Sequence, residues 1–318
     1  LFKSVKKWFL PLAKVLVIAI TFAGCSNTTT TAATTPAAPA STTTQTPTTT
    51  APALSGSFKI IGSNTVTPLS SVWAENFMKD NPKVGIAVSG PGSGVGIAAL
   101  IDSTTDICQS SRLITQSEID QAKAKGVNPY EIQVATDALS VVVNPANPVS
   151  ELTIAQLSAI YTNRITNWKE VGGNDAPIVV MSRDTNSGTY VYFKETVVQM
   201  AGLPTKDTTL EYGDKVLMLP STEEGVSQVA GNPKGIFYAG LGYVNNTVKA
   251  LAIKKTASDA GVKPSVATAL DGTYPVSRPL LYYTNGAPTG VIKAYIDYCL
   301  SPAGQKEVLT AGFVPLAK

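Results

Sequence analysis

Residues 57–79 read SFKIIGSNTVTPLSSVWAENFMK. A short apolar run at 58–61 ends in Gly62-Ser63-Asn64-Thr65, and Leu69, Val72, Trp73, Asn76 and Phe77 then recur close to the spacing of one helix face. The stretch predicts a strand, a tight polar loop and an amphipathic helix. The same grammar continues outward. Residues 84–89 read as a strand, GPGSG at 90–94 as a loop and 95–101 as a short helix. A strand is predicted over 105–108 and a helix over 116–125, opened by Thr115 with Glu118 three residues on, the pattern of a capping box. An extended stretch over 132–143 stops at Asn144-Pro145. Beyond it, helices are expected at 153–161 and 190–200, strands at 178–181, 235–238 and 250–253, and a last strand and helix at 279–283 and 291–300. Alternation of this kind predicts an α/β protein with mostly parallel sheets covered by helices on both faces.

The chain has 318 residues, 44% of them apolar and 15% charged, long enough for two lobes. Its formal charge of +3 comes from one end. Residues 1–24 carry Lys3, Lys6, Lys7 and Lys14 and no acid, and without them 21 basic residues face 22 acidic ones. The remainder has no basic run or arginine–aromatic stripe, so no nucleic-acid partner is expected. The sequence contains no histidine. Ser-His-Asp and Cys-His nucleophiles and the commonest zinc ligand are therefore excluded, and neither cofactor nor metal is expected.

The N-terminus reads as an address. Behind its lysines lies an uninterrupted apolar stretch, 15–23, whose helix would rise only about 14 Å, too short for a hydrocarbon core of roughly 30 Å. A signal peptide over 1–24 accounts for it. Phe22-Ala23-Gly24-Cys25 resembles a lipoprotein cleavage site, with Cys25 as the lipidated residue. Residues 26–53 are Thr, Ala, Pro, Ser, Asn and Gln only, so 25–55 is expected to be a lipid-bearing, disordered tether. The folded part is then exported and anchored through that lipid to the outer face of the cytoplasmic membrane. Cys108 and Cys299 remain, as a disulfide or as two buried thiols.

Three strand-to-helix loops carry the chemistry: Gly62-Ser63-Asn64-Thr65, Gly90-Pro91-Gly92-Ser93-Gly94, and Arg183-Asp184-Thr185-Asn186-Ser187-Gly188-Thr189. Such loops lie at the carboxyl ends of strands, where ligands of open α/β sheets bind, and helix starts offer unpaired N–H groups to an anion. Each loop alone also reads as an ordinary helix cap. GPGSGVG lacks the Lys-Ser/Thr end of a P-loop and the spacing of the dinucleotide fingerprint. Arg183 can fork onto two anion oxygens. Asp106, which ends or crosses the strand in Thr104-Thr105-Asp106-Ile107, is repelled by an oxyanion unless that anion carries a proton. Phosphate carries one near neutral pH and sulfate does not, so Asp106 is expected to favour phosphate. It can equally be a loop cap or an arginine partner.

Taken in order, GSNTVTPLS, GPGSGVGIAALIDSTTDI, ATDALSVVVNP, ITNWKEVGG, RDTNSGTY and YAGLGYVNN resemble the substrate-binding protein of phosphate ABC importers, the PstS family, from about Phe58 to Leu316. The resemblance implies the two-lobe periplasmic-binding-protein-like (type II) fold. Each lobe would be a mostly parallel sheet flanked by helices, with two hinge crossings near 135–139 and 274–277. Lobe 1 would be 56–137 plus 275–318, and lobe 2 would be 138–274. It further implies inorganic phosphate bound by Asn64, Thr65, Ser93, Asp106, Arg183, Ser187, Gly188 and Thr189, with delivery by a monomer to an ABC permease. The family pattern leaves Ser110, Ser111 and Arg112 unassigned. Competing readings are a binder of another tetrahedral oxyanion, a phosphate-sensing surface lipoprotein, and a serine hydrolase using Ser187 with Lys194.

Overall fold

The computed structural model describes residues 53–200 and 202–316. The predicted signal peptide, Cys25 and nearly all of the tether lie outside them.

The first part runs β1 (Gly56–Gly62), α1 (Thr67–Asp80), β2 (Val84–Ser89), α2 (Ser93–Ile101), β3 (Ile107–Ser110), α3 (Gln116–Ala124) and β4 (Pro129–Ala138). The second holds β5 (Ser140–Val143), β6 (Glu151–Thr153), α4 (Ile154–Tyr161), β7 (Val179–Arg183), α5 (Gly188–Phe193), β8 (Leu217–Leu219), α6 (Thr222–Gly231), β9 (Gly235–Ala239), β10 (Lys249–Ala250), β11 (Ala252–Lys254) and α7 (Val266–Leu270). The chain then returns through β12 (Ser277–Asn285), α8 (Gly290–Leu300) and α9 (Pro302–Thr310). The expected capping box is present: Thr115 accepts from the Glu118 amide, and the Glu118 side chain accepts from Thr115.

The strands form two five-stranded sheets, ordered β2-β1-β3-β12-β4 and β10-β5-β9-β7-β8, and a small β11-β6 pair. In the first, β2, β1 and β3 are parallel and only β12 is reversed. In the second, β9, β7 and β8 are parallel and β5 runs against its neighbours. The predicted extended stretch 132–143 is two strands in different sheets, broken at Leu139. There the Leu139 amide donates to Val276 O at 2.9 Å, and the Tyr274 hydroxyl donates to Leu139 O at 2.8 Å, tying the outgoing and returning chain together.

Side-chain alternation divides each sheet between two apolar layers. Phe58, Ile60, Ile107, Leu280 and Tyr282 face α1, α8 and α9, whereas Cys108, Leu281 and Tyr283 face α2 and α3. In the second sheet Val141, Val143, Ile236 and Tyr238 pack against α4, and Val142, Phe237 and Ala239 against α6. Burying a side chain of this size contributes roughly 1.5–3 kcal/mol, so both faces of both sheets are held.

The same alternation separates the two remaining cysteines. Cys108 and Cys299 are free and buried, in layers on opposite faces of the first sheet. Burial raises both thiols well above the ordinary cysteine value, which suppresses the reactive thiolate. In a Cys25→Ser protein, a thiol reagent is expected to label neither cysteine before unfolding and both after it. Labelling of the native protein at the rate of an exposed thiol would contradict this packing.

Candidate functional site

The carboxyl ends of β1, β2 and β3 in one sheet, and of β7 in the other, open onto one buried polar cluster. Close approach of the corners depends on glycine. Gly62, with φ +148°, sits so near β3 that a Cβ would lie 2.0 Å from Gln109 O. The Ser63 amide can therefore donate to that carbonyl at 2.7 Å. Gly92, with φ +126°, lets the β2 corner lie against Asn186, whose carbonyl accepts from the Gly94 amide at 3.0 Å.

Six hydroxyl side chains gather there, all nearly or fully buried: Ser63, Thr65, Ser93, Ser111, Ser187 and Thr189. Ser63 Oγ donates to Ser111 Oγ at 3.0 Å, and Ser93 Oγ accepts from the Ser111 amide at 3.1 Å. Thr65 Oγ1 and Thr189 Oγ1 are 2.8 Å apart, a contact between the β1 corner and α5. Ser187 caps α5, accepting from the Thr189 and Tyr190 amides at 3.2 and 3.3 Å. Gly188 faces Ser93 and Ser111 directly: a Cβ there would lie 2.3 Å from Ser93 Oγ and 2.8 Å from Ser111 Oγ.

Arg183, at the end of β7, is only 1% exposed. Its Nε donates to Leu219 O at 3.3 Å and Nη2 to Pro220 O at 2.8 Å. Nη1 donates to Thr222 Oγ1 at 2.7 Å and to Asn64 Oδ1 at 3.2 Å. All four acceptors are neutral, and no ion pair among the described residues includes Arg183. Burial pushes the guanidinium down from the ordinary arginine value, while Asp184 and Tyr238 act upward from a distance. An arginine starts so high that it stays charged at neutral pH. The site thus holds a desolvated cation hydrogen-bonded only by dipoles. Asn64 is committed to that cation: its Oδ1 also accepts from the Thr222 amide at 3.0 Å, and its carbonyl accepts from the Tyr243 hydroxyl at 2.8 Å.

Asp106 is not brought to the cluster, and its expected place, ending or crossing a strand, is corrected. The strand is Ile107–Ser110, two residues later than the predicted 105–108, so Asp106 stands before it and Ser111 stands just past its far end. Asp106 is exposed, and its Oδ2 accepts from the Lys59 amide at 2.8 Å, level with the middle of β1. Five residue steps, through the four residues of β3, separate it from Ser111, roughly 16 Å at ~3.3 Å per residue. Asp106→Asn is therefore expected to leave anion affinity and phosphate-over-sulfate preference within about twofold of the native protein by calorimetry; a selectivity change of tenfold would restore Asp106 to the site.

Four contributors were not identified as site residues in the sequence: Ser63, Ser111, Asp137 and Arg278. Asp137 and Arg278 are wholly buried partners, with Nη2 to Oδ2 at 2.8 Å and Nε to Oδ2 at 3.1 Å. They are paired across β4 and β12 beside the crossings. Their signal is a lone acid within VATDALSVVV and a lone base within YPVSRPLLYY, opposite charges inside two apolar runs. Arg112, in the same polar run as Ser111, turns away and pairs with Glu118 through both of its terminal nitrogens at 2.8 and 2.6 Å.

Two sheets joined by a pair of crossings, with a polar cluster shut between their strand ends, is the architecture of two-lobed solute-binding proteins. The model of the PBP superfamily domain matches residues 34–303. The chain is 35% identical to protein SphX of Synechococcus elongatus, over 80% of this chain and 76% of that one. It is 31% identical to the phosphate-binding protein PstS of Pseudomonas aeruginosa, over 84% and 85% of the two chains. A crystal structure of a phosphate ABC transporter substrate-binding protein with bound phosphate, from Clostridium perfringens, superposes with a TM-score of 0.72 at 33% identity, covering 82% of this chain and 100% of that one. The chain belongs to the PstS family within the PBP superfamily.

Proposed function

We propose that this protein binds one inorganic phosphate in the buried cluster and delivers it to the permease of an ABC importer. The observation that carries the reading is Arg183, a buried cation whose partners among the described residues are all neutral. Burying a charge costs several kcal/mol unless it is paired, and an anion supplies the pair. Around it, Thr65, Ser93, Ser111, Ser187, Gly188 and Thr189 would supply hydroxyls and amides, with Ser63 behind Ser111 and Asn64 steadying the arginine. Hydroxyls both donate and accept, so the ring accommodates bare and protonated phosphate oxygens without a carboxylate from Asp106.

Lobe 1 would be 56–137 with 275–318, and lobe 2 would be 138–274. Phosphate then bridges them and favours closure, because only the closed form brings Thr65, Ser93 and Ser111 against Arg183 and α5. The hydrolase reading loses its parts: Ser187 Oγ caps α5, and Lys194 Nζ is paired with Glu211 at 2.6 Å. Export and anchoring through lipid on Cys25 complete the proposal, holding a monomer beside its permease.

The test is thermal unfolding of the protein stripped of bound anion. Phosphate at a hundred times its dissociation constant stabilises by about 2.7 kcal/mol, which moves the midpoint by several degrees. No phosphate-dependent shift, or an equal shift with sulfate at the same concentration, would reject phosphate as the ligand.

A further inference from the structure

We propose that the buried Asp137–Arg278 pair is a positioning device that commits the Thr65–Thr189 hydroxyl pair to donating toward the bound anion; this rests on the phosphate-binding reading above. Arg278 Nη2, besides meeting Asp137, donates to Thr189 Oγ1 at 3.0 Å, and its Nη1 donates to Ser111 O at 3.1 Å. The guanidinium therefore reaches both sides of the cluster at once. Asp137 holds it from behind through Oδ2, while Oδ1 accepts from the Leu241 amide at 2.9 Å. Arg278 also lies over the Tyr192 ring, 5.5 Å from its centre. Its orientation is thus set by contacts that do not involve the ligand.

The consequence follows from counting protons. A guanidinium has only donors, so Thr189 Oγ1 must accept from it. Thr65 and Thr189 share one hydroxyl proton in their 2.8 Å contact. One proton of the two remains, and among the described residues neither hydroxyl has a further partner besides Arg278. Because a cation polarises the chain Arg278–Thr189–Thr65, that remaining proton is a better donor than an isolated threonine offers, and the occupied lone pair discourages the threonines from accepting. This arm of the site takes an unprotonated oxygen. Asp137 cancels the charge, so the device aims hydroxyls without adding a second unpaired cation beside Arg183.

A buried ion pair is by itself weak support for stability, and apolar replacements of both partners are often neutral. That fact separates positioning from folding in the test. Phosphate affinity is measured by calorimetry on anion-stripped native protein, Thr65→Val, the double variant Asp137→Leu/Arg278→Met, and the triple combination. The double variant is expected to unfold cooperatively and to bind about tenfold more weakly, with Thr65→Val adding at most about twofold on top of it although it costs about tenfold alone. Native-like affinity in the double variant, or costs that simply multiply in the triple, would overturn the positioning role. Should the double variant fail to fold, Thr189→Val and Thr189→Ser decide. The valine must weaken binding about tenfold and the serine must restore it to within about threefold, and equal affinities for the two would overturn the role equally. If the native protein takes up no phosphate, the proposed function itself fails, and the positioning role with it.

Discussion

Arg183→Met is expected to weaken phosphate binding by at least about a hundredfold. Truncating one partner of a buried charge pair costs roughly 2–5 kcal/mol, between about thirty- and several-thousandfold in affinity. Arg183 belongs at the upper end, because it is buried and its partners among the described residues are neutral. The anion-free protein should behave differently. Removing the guanidinium relieves its desolvation but leaves Pro220 O without its donor and takes one of two donors from Leu219 O and from Asn64 Oδ1, so the two effects oppose each other. Stability without phosphate should therefore change far less than affinity. Thermal unfolding of the variant with and without phosphate checks both halves: the ligand-dependent rise should vanish while the anion-free midpoint stays within a few degrees. A retained rise would remove Arg183 from the binding site.

Gly188→Ala should be as damaging by a different route. Gly188 has no left-handed backbone requirement, so alanine is tolerated locally at the start of α5. The methyl group instead meets the other side of the cluster, 2.3 Å from Ser93 Oγ and 2.8 Å from Ser93 Cβ and Ser111 Oγ. Ser93 opens α2 and Ser111 follows β3, both in the first sheet's half, so one methyl wedges the corners apart. A displacement of about an ångström is enough to break hydrogen bonds that need 2.7–3.2 Å. Phosphate affinity is expected to fall by about a hundredfold or more while cooperative unfolding of the anion-free protein is kept. Gly231→Ala at the end of α6, where a Cβ would meet nothing within 4 Å, is the matched control and should bind as the native protein does. Native-like affinity in Gly188→Ala would mean that the corners do not need to close this tightly.

Much of this arrangement is legible from residue pattern. The run-loop-helix grammar of 57–108 indicates α/β alternation, and the three polar loops mark the strand ends that supply Thr65, Ser93 and Arg183 with Ser187–Thr189. What pattern cannot supply is register. β3 is short and flanked by polar residues, so a shift of two positions keeps an apolar core yet moves the strand end from Cys108 to Ser110. A strand over 105–108 carries Asp106 and stops short of Ser111, whereas the observed strand begins after Asp106 and ends beside Ser111. Asp137 and Arg278 are 141 positions apart, and only the antiparallel pairing of β4 with β12 brings them together. Even so, a charge inside each of two apolar runs is a sign that each requires a partner. Position along the strand, more than residue type, decided which acid lies near the cluster.

Equilibrium dialysis of the anion-stripped protein against labelled phosphate bears most directly on a phosphate held between the β-strand corners. One phosphate per native chain is expected, retained in Asp106→Asn and lost in Arg183→Met. Uptake that survives Arg183→Met at native affinity, or disappears with Asp106→Asn, would place the ligand somewhere other than the buried hydroxyl cluster.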